Sequence, residues 1–588
     1  MAKWYVMTKR ADFDSIAAKF HISPILARIL RNRDLQTEQE LQMFLNGTLS
    51  DLHDPHEMKD IDRAAELILQ AVEQRKKIRI VGDYDIDGIC ASYILLTGLR
   101  ACQADVDVRL PDRMKDGYGI NESMIDQAAQ DGIQMIVTCD NGIAAYEQVE
   151  HAKKLGIDVI VTDHHEVPYE ESETGEKKYR VPHADAVVDP HQEDCPYPFA
   201  GICGAVVAYK LVEVLYELKG FPSEQVQELL EFAAFATVGD VMELRDENRI
   251  LVKYGLERIK KTNNIGLRTL MDVTQIDREK LSPFHIGFVL GPCINATGRL
   301  DSAERALSLF TSESPAEALQ IAGDLKSLND SRKDMTKKYQ EIALAEVEKM
   351  PQPGKVLVLY LPDCHESLAG IIAGRVKEQY YRPTFVLTKT EDGIKGSGRS
   401  IEAYDMYAEM TKCKELFTKY GGHKMAAGLS MKEEDIDQLR TRLNEQTTLT
   451  EEEMQEKVQI DIPMPISYVT KELIQELKQL EPFGIGNPKP LFAEKNILIR
   501  SARVMGKNQN VVKMTIENKD GYKADAIWFG DGNRFRQDMT LAFKEEADAV
   551  FSGNGTSVRI SIAYDPDLNV YMGRETIQIH IQHYEFER

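Results

Sequence analysis

The chain reads as a mixed α/β protein of several domains. A parallel-sheet domain and a second α/β domain are joined by a long helix and followed by a small β-barrel. Three observations predict this. Between Lys77 and about Pro190, short apolar strands alternate with helical stretches, the pattern of a parallel sheet covered on both faces. An unbroken helical pattern then runs from Ser314 to Met350. From Asn496 onward the rhythm becomes that of short strands with period-two alternation, separated by Gly, Asn and Asp turns. At 588 residues the chain is too long for a single core.

The strands expected in the first domain are 77–81, 135–138, 158–162 and 186–188. The long helix opens on Ser314-Pro315, a favoured first turn, and stops at Pro351-Gln-Pro-Gly354. Strand 356–360 opens the second domain, and the charged segment 450–457 separates the third part. In the barrel, Val558, Ile560 and Ile562 alternate with polar residues, as do Ile577, Ile579 and Ile581. Neighbouring strand residues face opposite sides, so at most one of Trp528 and Phe529 is exposed there. The expected boundaries are an N-terminal segment 1–53, a catalytic domain 54–300, a helical connector 301–350, a second domain 351–452, and linker plus barrel 453–588.

Composition narrows the function classes. No apolar run is long enough to span a bilayer, and the N-terminus lacks an export signal, so a cytoplasmic protein with no membrane association is expected. The eight scattered cysteines form no C-x-x-C pair, which argues against a disulfide framework or zinc ribbon. The net charge of −23 excludes a generally basic surface, the usual footprint of nucleic-acid binding. A local groove remains open: residues 365–430 hold ten Lys/Arg against eight Asp/Glu.

The chemistry lies at strand ends, where working residues of parallel sheets gather. The first strand leads into GDYDIDG with Asp83, Asp85 and Asp87, the next into CDNG with Asp140, and the third into Asp163-His164-His165. Asp240 follows the apolar run EFAAFATVG. Converging carboxylates repel one another unless a cation sits between them. Oxygen and imidazole ligands suit manganese, or magnesium completed by water. Two such ions can activate a water and hold phosphoryl oxygens. Alone, D-x-D-x-D-G also fits a calcium loop or a solvated turn, but neither explains the D-N-G and D-H-H that follow.

GDYDIDG, TCDNG, TDHH and ATVGD, in this order, resemble the four motifs of the DHH phosphoesterase superfamily. Within it the chain resembles the RecJ family of single-strand-specific exonucleases over nearly its whole length. Further similarity lies in DLHDPHEMKDIDRA, PDRMKDGYG (111–119), ICGAVVAYKL (202–211), GSGRS (396–400), YGGHKMAAG (420–428) and LEPFGIGNPKPLF (480–492). The resemblance implies a DHH domain, a DHH-associated domain and an OB-fold barrel. It also implies two divalent ions, Mn2+ foremost and Mg2+ second. Asp85 and Asp87 would hold one ion each, Asp140 would bridge, and His164 with Asp240 would complete the second site. Asp83 would be a ligand or lie next to one, His165 would contact the scissile phosphate, and Asp163 would orient an imidazole.

The second domain supplies what a phosphate and backbone pocket needs. Gly396, Gly398, Gly421 and Gly422 let a ligand approach the backbone, Arg399 offers a planar fork, and Ser397, Ser400 and His423 add donors. Arg299 would join them in gripping substrate.

Three positions depart from the family pattern, which commonly has Thr at Cys90, Trp at Cys364 and Arg at Cys293. They bear on substrate grip rather than on metal binding. The implied activity is hydrolysis of single-stranded DNA from an end, 5′ to 3′, in recombination and repair. A monomer working with a single-strand-binding protein and a helicase is expected. The alternatives are a DHH-family phosphodiesterase of nanoRNA or small nucleotides, and a non-catalytic replication scaffold.

Overall fold

The structure is a computed structural model that describes residues 2–112, 117, 119–171, 177–350, 352–391, 393–571 and 573–587. Five parallel strands form the first sheet: β1 (Lys77–Val81), β2 (Asp105–Arg109), β3 (Met135–Cys139), β4 (Asp158–Thr162) and β5 (Ala186–Val188). Their spatial order is 2-1-3-4-5, and every pairing is parallel. Alternate residues serve two cores: Ile78, Ile80 and Val137 pack on one face, Val81, Ile136 and Val159 on the other. Strand β2 escaped the sequence reading because it is a polar edge strand. Its Asp107 is held by a two-pronged bond from Arg79, 2.8 and 2.6 Å.

Helices α1 (Ile86–Ala101), α2 (Gly204–Leu218) and α3 (Leu230–Gly239) cover one face. All three are apolar nearly all round, as buried helices are. The strand order reverses between β1 and β3, and the crevice at their carboxyl ends is where such sheets bind ligands.

Helix α4 (Gly291–Leu300) precedes α5 (Pro315–Lys349), the 35-residue connector. Ala318, Ala322 and Leu325 of α5 belong to the first core, Ala343 and Val347 to a core of the second domain. One rigid rod thus anchors in both. The second sheet comprises β6 (Leu357–Tyr360), β7 (Thr384–Thr390), β8 (Gly393–Arg399), β9 (Phe417–Gly422) and β10 (Ala426–Met431) in the order 9-10-8-7-6. Helix α6 (Glu366–Tyr380) packs on it.

The barrel strands are β11 (Phe492–Met505), β12 (Val511–Glu517), β13 (Lys523–Phe529), β14 (Arg559–Tyr571) and β15 (Arg574–Glu587). They close as 11-12-13-15-14-11 around Ile499, Val512, Met514, Ile560, Ile562 and Ile579. Trp528 packs against Phe535 and Tyr584, while Phe529 is 64% exposed, as the strand pleat requires.

The N-terminal segment folds onto this barrel. Leu26, Ile29, Leu41 and Phe44 enter its core, and strand Lys3–Val6 pairs with Lys457–Ile460. Buried Arg33 bonds Asp461 at 2.8 Å. Arg249, beside α3, donates to the carbonyls of Phe44, Leu480, Gln479 and Glu481 at 2.8–2.9 Å. The barrel is therefore clasped to the catalytic domain by contacts in which α5 takes no part.

Candidate metal centre

The crevice at the β1/β3 switch gathers the carboxylates. Asp85 caps α1, its Oδ1 accepting the amides of Asp87 (3.0 Å) and Gly88 (3.1 Å). Asp87, on the first turn, sends its carboxylate into the N-terminus of α2, accepting from Gly204 N at 2.7 Å and Ala205 N at 2.8 Å. Position 204 must be glycine: a Cβ there would lie 2.8 Å from the Asp140 Cβ. Asp140 takes a left-handed backbone, φ 59°, which turns its side chain back over the crevice. Asn141 locks that turn by bonding the Val81 and Cys139 carbonyls at 3.0 and 2.9 Å.

Three overlapping ligand sets result, one of them Asp140, His164 and His165. Asp83, Asp85 and Asp140 offer oxygens within 4.8 Å of one another, and Asp87, His164 and Asp240 form a second such group. His164 Nε2 lies 3.1 Å from Asp140, 3.4 Å from Asp87 and 4.0 Å from Asp240, so Asp140 stands between the Asp83 and Asp87 sets. Burial and neighbouring Asp85 push the Asp83 carboxyl up to about 8, and burial with Asp87 does the same for Asp240. Asp85 and Asp140 are raised too, by burial first and Asp87 next. Five crowded carboxylates, four of them resisting ionisation, with an imidazole among them, are a donor set suited to divalent cations of the manganese or magnesium kind.

His165 lies beside the ligands, its Nδ1 3.9 Å from Asp140 Oδ1, but its nearest partner is Asp163. Its Nδ1 is 2.7 Å from Asp163 Oδ1, which also accepts the His164 amide at 2.8 Å, while Asp163 Oδ2 accepts Ile143 N at 2.9 Å. Burial is the largest single influence and lowers the imidazole pKa, but the Asp163 bond and the charges of Asp163, Asp87 and Asp240 together outweigh it and carry the value up to about 9. Burial opposes ionisation of Asp163 as well, yet its bonds to His165 and Ile143 hold it below the usual carboxylate range. At neutral pH the pair is an imidazolium on a fixed carboxylate.

The second domain presents one face of GSGRS and hides the other. Ser397 and Arg399 lie on the outer pleat of β8. Gly398 and Ser400 face inward: a Cβ at 398 would strike Met406 Sδ at 2.4 Å, and Ser400 Oγ donates to Tyr404 O at 2.6 Å. Both side-chain positions are enclosed within the domain. A cavity of about 400 Å³ opens beside Ser367, Lys395, Ser397, Lys419 and Gly421. Gly421 has no atom within 4 Å of where a Cβ would sit, and Gly422 turns at φ 146° into exposed His423. Arg299 links the domains, donating to Ser367 O at 2.7 Å.

Cys90, Cys293 and Cys364 are all buried, and Cys293 accepts from Asn329 on α5 at 3.4 Å. Within the 111–119 motif, residues 113–116 and 118 lie outside the described residues. Sequence reasoning missed what Gly204, Ala205 and Asn141 do. Nor does the sequence reveal that Asn295 Oδ1 accepts the Ile86 amide at 2.8 Å, which braces the first motif. The glycine opening an apolar helix after Cys203 was the available signal for an amide cradle.

A switch-point crevice of this composition, joined by a helical rod to a second α/β domain, defines a DHH phosphoesterase. The DHH family N-terminal domain model matches residues 77–237, the DHHA1 domain model 354–448 and the RecJ OB domain model 460–583. The single-stranded-DNA-specific exonuclease RecJ of Bacillus subtilis (strain 168) is 35% identical over 587 residues, 99% of this chain and 70% of that protein. The Escherichia coli (strain K12) exonuclease of the same name is 32% identical, covering 98% of each chain. The crystal structure of RecJ in complex with Mn2+ from Thermus thermophilus superposes with a TM-score of 0.80 at 26% identity, covering 100% of this chain and 80% of that one. The chain belongs to the RecJ family.

Proposed function

We propose that this protein is a metal-dependent exonuclease that hydrolyses single-stranded DNA from an end, 5′ to 3′, in recombination and repair. The observation that carries the reading is the crevice itself, where five carboxylates and the His164 imidazole converge within ligand distance of one another. Asp85 and Asp83 serve the first ion, Asp87, His164 and Asp240 the second, and Asp140 bridges. Two bound ions supply an activated water and neutralise the phosphoryl oxygens. The Asp87 carboxylate is kept aimed by the α2 amides, and the His165 imidazolium, oriented by Asp163, offers a hydrogen bond to the scissile phosphate.

Across the cleft, Arg399, Ser397, Arg299 and His423 grip the end of the strand, with the backbone of Gly421 and Gly422 close to it. Gly398 and Ser400 stand behind them as support. In the barrel, exposed Phe529 offers a stacking surface for a base. The proposal extends to a monomer in the cytoplasm, supplied with strands by a helicase and a single-strand-binding protein.

The test uses single strands labelled at each end in turn, as DNA and as RNA, with Mn2+ or Mg2+. Stepwise loss of nucleotides from the 5′ end of DNA is expected. Cleavage confined to dinucleotides would replace this reading with a small-nucleotide phosphodiesterase.

A further inference from the structure

Phe284 and Phe288 are 61% and 64% exposed, and their rings stack with centroids 5.0 Å apart and planes 27° apart. The fold does not need them as core. Leu281, Ile286 and Leu290 of the same segment are fully packed, so its apolar anchoring is already complete. The segment is a short helix, Pro283–His285, running into a π-turn, Ile286–Leu290, and then into α4. Single π-turns within helices are frequently found at functional sites.

The position of this pair suggests its use. Farther along the same helical run, Asn295 braces Ile86 N in the first motif, and Arg299 reaches Ser367 across the cleft. Ile86, between Asp85 and Asp87, is gripped from two sides: a Cβ on Gly239 would lie 2.4 Å from its Cδ1, and one on Gly291 3.2 Å. Three residues before Gly291 stands Phe288; two after Gly239 stands Val241, itself 63% exposed. The turn after Val241 bonds the approach to the barrel through Leu244 N and Ile485 O, 2.7 Å, and Ile485 is exposed as well. Exposed apolar side chains therefore lie on segments that touch in series, from the rim of the crevice to the barrel.

We propose that Phe284 and Phe288 form a ledge on which bases of the substrate strand stack as it runs between the catalytic crevice and the barrel. This rests on the exonuclease reading above and names further substrate contacts for it. Continuity with the crevice favours a strand as the occupant. So does the protein's charge: at −23 its net field repels phosphates over distance, and base stacking needs no positive field.

The experiment compares the parent with a Phe284→Ala/Phe288→Ala double variant, Phe288→Tyr and Phe288→Leu. Binding of a 2-aminopurine-labelled single strand is read by fluorescence quenching without divalent ion. KM and kcat are read on a long strand and on a dinucleotide. Losing the ledge should raise KM for the long strand about five- to a hundredfold, with kcat and dinucleotide turnover nearly unchanged. Quenching should fade in the double variant and in Phe288→Leu, but persist in Phe288→Tyr.

Unchanged long-strand KM, or Leu serving as well as Phe, would overturn the ledge. A change in sedimentation of the double variant would overturn it in favour of a contact between two copies. If the parent binds and quenches the strand but does not cut it, the exonuclease reading fails while the ledge stands. If the parent cuts and the double variant behaves like it, only the ledge fails.

Discussion

Two clusters of buried charge in the catalytic domain are built on opposite plans. Around Arg249 and Lys210, positive groups meet acceptors supplied by the chain itself. Lys210 Nζ is 2.5 Å from His53 O and 3.3 Å from Glu247, and Tyr197 donates to the other oxygen of Glu247. Arg249 is satisfied by backbone carbonyls. In the crevice, five carboxylates are brought together, and the pKa values of four of them rise. A cluster that balances itself holds structure, whereas one whose carboxylates resist ionising together is arranged for a cation the chain does not supply. The first welds the barrel and N-terminal segment to the catalytic domain; the second waits for cations.

The contrast is broken most forcefully at Asp140. Asp140→Ala removes the group standing between the Asp83 and Asp87 ligand sets, and turnover should fall on the order of a thousandfold or more with the circular dichroism spectrum intact. A folded variant with ordinary turnover would dismantle the two-ion arrangement.

Arg249→Ala should produce the opposite signature. Stranding carbonyls from two segments and removing the buried cation should cost about 3–5 kcal/mol of stability, seen as a lower denaturant midpoint. Manganese uptake by the protein that remains folded should be retained. For the same reason, a chain cut near residue 450 should be less stable than its two α/β domains suggest, because the N-terminal segment loses its strand partner and its core. Equal stability of the Arg249→Ala protein would mean that the clasp is not what joins the barrel.

The smaller test concerns grip. Arg399→Ala should weaken interaction with a long strand by about 1.5–3 kcal/mol, through one lost charged contact. Dinucleotide turnover and manganese binding should hardly move. Equal losses on long and short substrates would place Arg399 in the chemistry or the fold instead.

The two clusters also differ in how far the sequence reveals them. The crevice was legible because three of its four motifs follow apolar strands and Asp240 follows an apolar helix, and the sheet topology brings the strand ends together whatever the loops do. The clasp was not, because the acceptors of Arg249 are main-chain carbonyls, which carry no residue identity, and they lie more than two hundred positions away. For the same reason the segment 450–457 read as a plain separator, although Lys457 begins a strand that pairs with the N-terminus. In GSGRS the composition suggested one pocket of donors, but the pleat of β8 assigns alternate residues to opposite faces, which glycine-rich spacing conceals. Edge strand β2 was hidden by its own aspartates.

The central claim is that the crevice crowds carboxylates that ionise together only around two divalent ions, and a pH-resolved melting experiment with manganese tests it directly. In the metal-free fold, Asp83 and Asp240 titrate near 8 rather than at the ordinary 3.8. Folding therefore favours their protonated forms. That contribution is fully present below about pH 4 and is lost as pH rises through about 8. The metal-free protein should accordingly melt at progressively lower temperature between pH 6 and pH 9, apart from changes elsewhere that an Asp83→Asn/Asp240→Asn control reports. Manganese should reverse the loss, binding at two ions per chain with an affinity that climbs with pH as protons are displaced. A melting temperature that does not fall over this range relative to the control, with no uptake of manganese, would contradict the account.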